Sequence, residues 1–104
     1  MSDAPAYVIA NFNIHDKEEY LKYEKGFFSL LKKHGGSFIT YDDNTQHLEG
    51  PDPRTGRTVI FQFASEEAAQ TWYKDPEYQA LSEFRRAGTD MVSLTLVHGL
   101  APRA

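Results

Sequence analysis

Between Tyr7 and Ile14 the hydrophobic period is two residues; past Asp16 it lengthens to that of a helix. This switch constrains the fold more than any other feature, because a helix leaving a half-buried strand must pack back on the strand's apolar face. Val8, Ala10, Phe12 and Ile14 make that face, while Tyr7, Ile9, Asn11 and Asn13 make a mixed one. Asp16 is placed to cap the helix, and Glu19 completes a capping box. The helix is predicted to reach about His34 and to stop at Gly35-Gly36, where glycine takes a left-handed conformation at no steric cost.

Ser37 to Tyr41 reads as a second strand, with Gln46 to Glu49 expected to continue it past a kink at Asp42-Asp43-Asn44. The segment from Gly50 to Gly56 is rich in Gly, Pro and Asp and reads as a hairpin loop. Arg57 to Phe63 is a third strand, with Val59, Phe61 and Phe63 on one face and Thr58, Ile60 and Gln62 on the other. Ser65 caps a second helix, and Pro76 restarts it as a first-turn residue of a piece reaching about Ala87, ended by Gly88. Met91 to His98 is the last strand. The order β-α-β-β-α-β is the split ferredoxin-like α+β pattern, a four-stranded antiparallel sheet with two helical regions on one face. With no linker or repeat, residues 1–104 form one domain whose core spans about 6–99.

Two helical regions cover one face of such a sheet and leave the other open. That open face is expected to carry Tyr7, Ile9, Asn11, Thr58, Ile60, Gln62, Met91, Ser93, Thr95 and Val97. The set is too apolar for water and too polar for a dry core, and pairing sheet to sheet in a homodimer resolves the conflict.

Composition narrows the function classes. Seven Phe, six Tyr and one Trp give a chain of 104 residues the means to build a core. The absence of cysteine removes disulfides, thiol nucleophiles and thiolate metal sites, and fits a reducing compartment. The formal net charge of −4 argues against nucleic-acid binding. No apolar run is long enough to span a membrane, and Met1-Ser2-Asp3-Ala4-Pro5 lacks a signal-peptide pattern, so a cytoplasmic location is expected. His15, His34, His47 and His98 show no ligand spacing, so neither a metal site nor a cofactor is expected.

The candidate binding residues lie on the helices. Tyr20, Leu21, Tyr23, Phe27, Phe28, Leu30 and Leu31 share one broad side of the first helix, which is expected to pack on the sheet. Glu24 falls inside that stripe, as a ligand contact or base, or as half of a salt bridge. His34 falls beside Tyr23 and Phe27, as a proton shuttle or as a cation at the helix C-terminus. In the second helical region Trp72 lies on a core-facing side, and Tyr78, Leu81 and Arg85 follow at helical spacing. Arg85 on an apolar stripe has two readings: a clamp for a carboxylate or phosphate, or a buried stem paired with Glu24 or Glu49. Tyr20, Tyr23, Trp72 and Tyr78 are candidate walls of an aromatic pocket.

The elements Asp16-x-x-x-Tyr20-x-x-Tyr23, Gly35-Gly36, Leu48-Glu49-Gly50, Phe63-x-Ser65 and Pro76-Glu77-Tyr78-Gln79-Ala80-Leu81, followed by Arg85, together resemble the DUF 1330 family, small bacterial proteins of unknown function. The resemblance covers Tyr7 to Gly99. It implies a dimeric α+β barrel, a fold also used by cofactor-free monooxygenases, muconolactone isomerase and dye-decolourising or haem-degrading proteins. Family members often read Glu-Phe-Pro-Ser where this chain has Gln62-Phe63-Ala64-Ser65, and often carry a basic residue where Glu24 stands, so acid chemistry at the first of these positions does not carry over. Two functions are consistent with these features. One is a binder of a small anionic or aromatic metabolite, extending to a cofactor-independent monooxygenase- or isomerase-like enzyme; the other is a non-catalytic dimeric accessory or regulatory module.

Overall fold

The computed structural model describes residues 4–100. Its elements are β1 (Ala6–Ile14), α1 (Lys17–Lys33), β2 (Ser37–Asp42), β3 (Arg57–Phe63), α2 (Glu66–Lys74), α3 (Pro76–Gly88) and β4 (Thr89–His98). All strand pairs are antiparallel, in the order β2-β3-β1-β4. This is the ferredoxin-like α+β arrangement, with the second helical region divided at Pro76.

Local chemistry sets the boundaries. The Asp16 carboxylate accepts from the Glu19 backbone N–H at 3.3 Å, and the Ser65 hydroxyl accepts from Ala68 N–H at 3.2 Å. The reciprocal half of the expected capping box does not form: Glu19 accepts from Lys22 Nζ, and the Asp16 N–H donates to the Gly88 carbonyl at 3.1 Å. That bond joins the start of α1 to the end of α3, and a Cβ on Gly88 would lie 2.9 Å from the Asp16 carbonyl oxygen. At the other end of α1, Gly35 takes φ +75°, so that Gly36 N–H reaches Leu31 O and Gly35 N–H reaches Lys32 O, the Schellman pattern.

Three expectations are corrected. Gln46 to Glu49 does not extend β2; the chain from 43 to 56 is loop, and Asp43 is drawn to Arg57 instead. Met91 does not belong to the open face. A bulge between Asn11 and Phe12 in the β1–β4 pairing places Met91 opposite Phe12, on the helix side. Leu21 and Phe28, expected to pack on the sheet, are half or more exposed, because the buried stripe of α1 is narrower: Tyr20, Tyr23, Phe27, Leu30 and Leu31.

The helix-side layer is uneven. At one end Trp72, Phe63, Leu31 and Tyr78 are fully buried, with the Trp72 ring 4.2 Å from Tyr78 and 5.4 Å from Phe63, centroid to centroid. At the other end, between the first half of α1 and the sheet, the layer is hollow.

Candidate functional site

The hollow is a cavity of about 220 Å³. Its floor is the helix side of the sheet: Val59 and Phe61 of β3, Ala10 and Phe12 of β1, and Met91 and Leu94 of β4. Its roof is Tyr20, Tyr23 and Phe27 of α1, with Tyr78 and Arg85 reaching in from α3. Phe28, Phe38, Tyr41 and Glu24 form the mouth, at the β2 edge, where all four are exposed. Helical spacing explains the roof: Tyr20, Tyr23 and Phe27 recur at i, i+3 and i+7 on α1, and Tyr78 and Arg85 at i and i+7 on α3.

Two guanidinium groups line this space in opposite circumstances. Arg57, at the mouth, is saturated: Nε and Nη2 donate to the two oxygens of Asp43 at 2.7 and 3.0 Å, and Nη1 donates to Glu24 at 3.3 Å. Its guanidinium also lies 5.0 Å from the Tyr41 ring and 5.6 Å from the Tyr20 ring. The bidentate bond pushes Arg57 still higher in pKa and holds Asp43 below the usual carboxylate range.

Arg85 is 6% exposed and, among the described residues, no carboxylate pairs with it. Its Nε is a buried donor without an acceptor. Its nearest compensation is the Tyr23 ring, 5.8 Å from the guanidinium carbon. Beside it the Tyr23 and Tyr78 hydroxyls are 2.8 Å apart. Burial pushes the Tyr23 hydroxyl well above the ordinary tyrosine range, the neighbouring Tyr78 adds to the effect, and Arg85 opposes it. Burial likewise raises Tyr20, against the pull of Arg57. The Tyr20 and Tyr23 phenols are therefore neutral at pH 7, able both to donate and to accept.

Of the predicted site residues, Tyr23, Tyr78, Arg85 and Glu24 come together around this cavity. Arg85 pairs with neither Glu24 nor Glu49; Glu24 stands at the mouth, bound to Arg57. Trp72 does not line the cavity. It lies behind Tyr78 and borders a shallower groove of about 270 Å³ between α2 and β4, with Ala69, Gln70, Leu94 and Leu96. His34 is not beside Tyr23 and Phe27; its Nε2 is 2.8 Å from Asp75 Oδ2, which also accepts from Lys33 Nζ at 3.1 Å. These contacts, the one with His34 foremost, hold Asp75 at a pKa of about 2, and its other oxygen caps α3 at Glu77 N–H. Tyr20, a candidate pocket wall, does line the cavity, and Arg57 is a site residue that sequence reasoning did not single out. Arg57 opens a strand on an apolar-facing position of β3, the same kind of signal that Arg85 gave on α3.

Among the described residues no cluster of His, Cys, Asp and Glu is arranged to hold a metal ion, and no helix is long and apolar enough to cross a membrane.

Comparison with known proteins places this geometry in a family. The family model described as Domain of unknown function (DUF1330) matches residues 5–100. A search of curated proteins finds no match. Among solved structures, the RPA0582 protein of unknown function from Rhodopseudomonas palustris superposes with a TM-score of 0.78 at 20% identity, covering 96% of this chain and 85% of the other. SnoaB, a cofactor-independent oxygenase from Streptomyces nogalater, superposes with a TM-score of 0.62 at 14% identity, covering 98% and 96%. A dimeric ferredoxin-like protein of unknown function from Thermobifida fusca gives 0.52 at 12% identity, covering 96% and 92%. At these identities the likeness is one of fold.

Proposed function

The chain belongs to the DUF1330 family, and on that premise we propose that it is a homodimer whose helix-side cavity binds a small planar aromatic anion. The observation that carries this reading is Arg85, buried in a mostly apolar hollow and paired with no carboxylate among the described residues. Burying an ion costs several kcal/mol even after relaxation. A cation–π contact such as that with Tyr23 returns about 0.5–2 kcal/mol, which falls short. An anion entering the cavity supplies the remainder. The walls are aromatic, which suits a flat ligand. The volume of about 220 Å³ suits one substituted ring or two fused rings, since a dry cavity of about 150 Å³ takes benzene.

SnoaB supports extending the reading from binding to a reaction run by the cavity's own side chains, because it is described as a cofactor-independent oxygenase on this fold. A non-catalytic accessory module calls for no hollow of this kind, and the unpaired guanidinium speaks against it. The test is a thermal-shift comparison of benzoate with benzamide, which share a ring and differ in charge. Benzoate at about a hundred times its Kd should add about 2.7 kcal/mol of stability and raise Tm by several degrees, while benzamide leaves it unchanged. Equal shifts, or none across a panel of aromatic carboxylates and phenols, would refute the reading.

The dimer is proposed to form through the open sheet face, where Ile9, Ile60 and Val97 sit with Tyr7, Thr58 and Thr95 on the side away from the helices. The Thermobifida fusca protein, described as dimeric, supports a dimer, and the apolar residues of the open face argue for that surface. Ile60→Asp places a charge at the centre of that face and should give a monomer by sedimentation; a dimer of unchanged affinity would contradict this interface.

A further inference from the structure

The closed end of the cavity carries one unpaired positive charge and no negative one. Arg85 brings an unpartnered Nε–H and the rest of its guanidinium fork. The Tyr23 and Tyr78 hydroxyls lie 2.8 Å apart, one donating to the other, which leaves the second proton free to donate to a ligand. The floor there is Ala10, Phe12, Met91 and Leu94, with no side-chain oxygen or nitrogen. The one carboxylate on the cavity wall, Glu24, is at the mouth, half exposed and held by Arg57. Tyr41 is also at the mouth and well exposed, and Tyr20 lies against Arg57.

We infer that this end binds a conjugated hydroxyl, a phenol or an enol, as its oxyanion. The inference rests on the reading of the cavity as an anion site and adds that the site makes the anion from a neutral ligand. A neutral hydroxyl placed there could donate only to a tyrosine oxygen and would leave the guanidinium charge uncompensated. Losing that proton compensates the guanidinium and allows two charge-assisted hydrogen bonds, one from Arg85 and one from the tyrosine pair. Desolvation opposes ionisation, but folding has already desolvated the guanidinium, so the compensating charge is in place before the ligand arrives. The balance is simple: the ligand O–H bond breaks, its electron pair stays on oxygen, and the proton leaves through the mouth to water. Deprotonation delocalises charge onto the carbons ortho to a phenol oxygen, or alpha to an enol oxygen. The closed end would thereby prepare carbon for attack by an electrophile.

The probe is 4-nitrophenol, whose phenolate is yellow and which ionises near neutrality. Titrated between pH 5 and 9 with saturating protein, the bound dye should ionise at least about one pH unit lower than free dye, which is tenfold or more selectivity for the anion. Arg85→Met should abolish the shift. Tyr78→Phe keeps the ring and removes one hydroxyl, and should reduce the shift while leaving the fold intact. Dye that binds, is displaced by benzoate and ionises at its free value or higher would overturn the inference and leave the anion site standing. Dye that does not bind at all, with benzoate still stabilising the protein, would overturn it too by excluding phenols. Failure of both ligands would bring down the parent reading as well.

Discussion

The two ends of the helix–sheet layer are built from similar residues and do opposite things. Around Trp72 the rings of Phe61, Phe63 and Tyr78 interlock at 4.2 to 5.4 Å, and the groove beside Trp72 is shallow and lies outside them. Around Tyr20 and Tyr23 the rings stand 5.7 Å apart along α1, and a hollow opens between them and the sheet. Aromatic content does not separate the ends; charge does. The packed end holds no arginine, whereas the hollow end holds two, one saturated at the mouth and one unpaired inside. Hollowness therefore coincides with unpaired charge, which a merely under-packed core would not produce.

Substitutions can break that comparison. Trp72→Ala removes the keystone of the packed end and should cost about 3–5 kcal/mol in denaturant melts; a loss under about 1 kcal/mol would show that this end is as loose as the other. Tyr78→Phe sits on the boundary, leaves the Tyr23 hydroxyl without its partner, and should cost about 1 kcal/mol. Arg85→Met, in the hollow, should be neutral or stabilising, because an unpaired buried charge gives way to an apolar chain of similar length.

A subtler contrast is one of pH. Asp75, at the joint between α2 and α3, titrates at about 2, below its ordinary range, chiefly through His34. A lowered folded-state pKa gives stability that is fully present above about pH 4 and is lost as pH falls toward 2. Asp75→Asn keeps an acceptor for the Glu77 N–H and should flatten acid melts in that window. An unchanged acid profile would sever the link to His34.

Much of this was legible in the sequence where the signal was local. Asp16, Ser65, Gly35-Gly36 and Pro76 act within a few residues of themselves, and each sits at the boundary it announces. The apolar stripes carrying Tyr23 on α1 and Tyr78 and Arg85 on α3 were likewise readable from helical period. What escaped depends on register and tertiary approach. Met91 changed faces because β4 carries one extra residue, Val92, where it passes Asn11 and Phe12. His34 found Asp75, 41 residues away, rather than the rings on its own helix. Arg57 became the hub of the mouth only because the loop after β2 brings Asp43 back to it while α1 brings Glu24 across. No pattern within one element encodes those meetings.

The central claim is that Arg85 is retained for a ligand and not for the fold. Calorimetric titration of benzoate into wild-type protein and into Arg85→Met, with a denaturant melt on each, tests it most directly. The account predicts that the substitution removes measurable binding and leaves stability equal or higher. Binding that survives in Arg85→Met, or a melt that collapses by several kcal/mol, would contradict it.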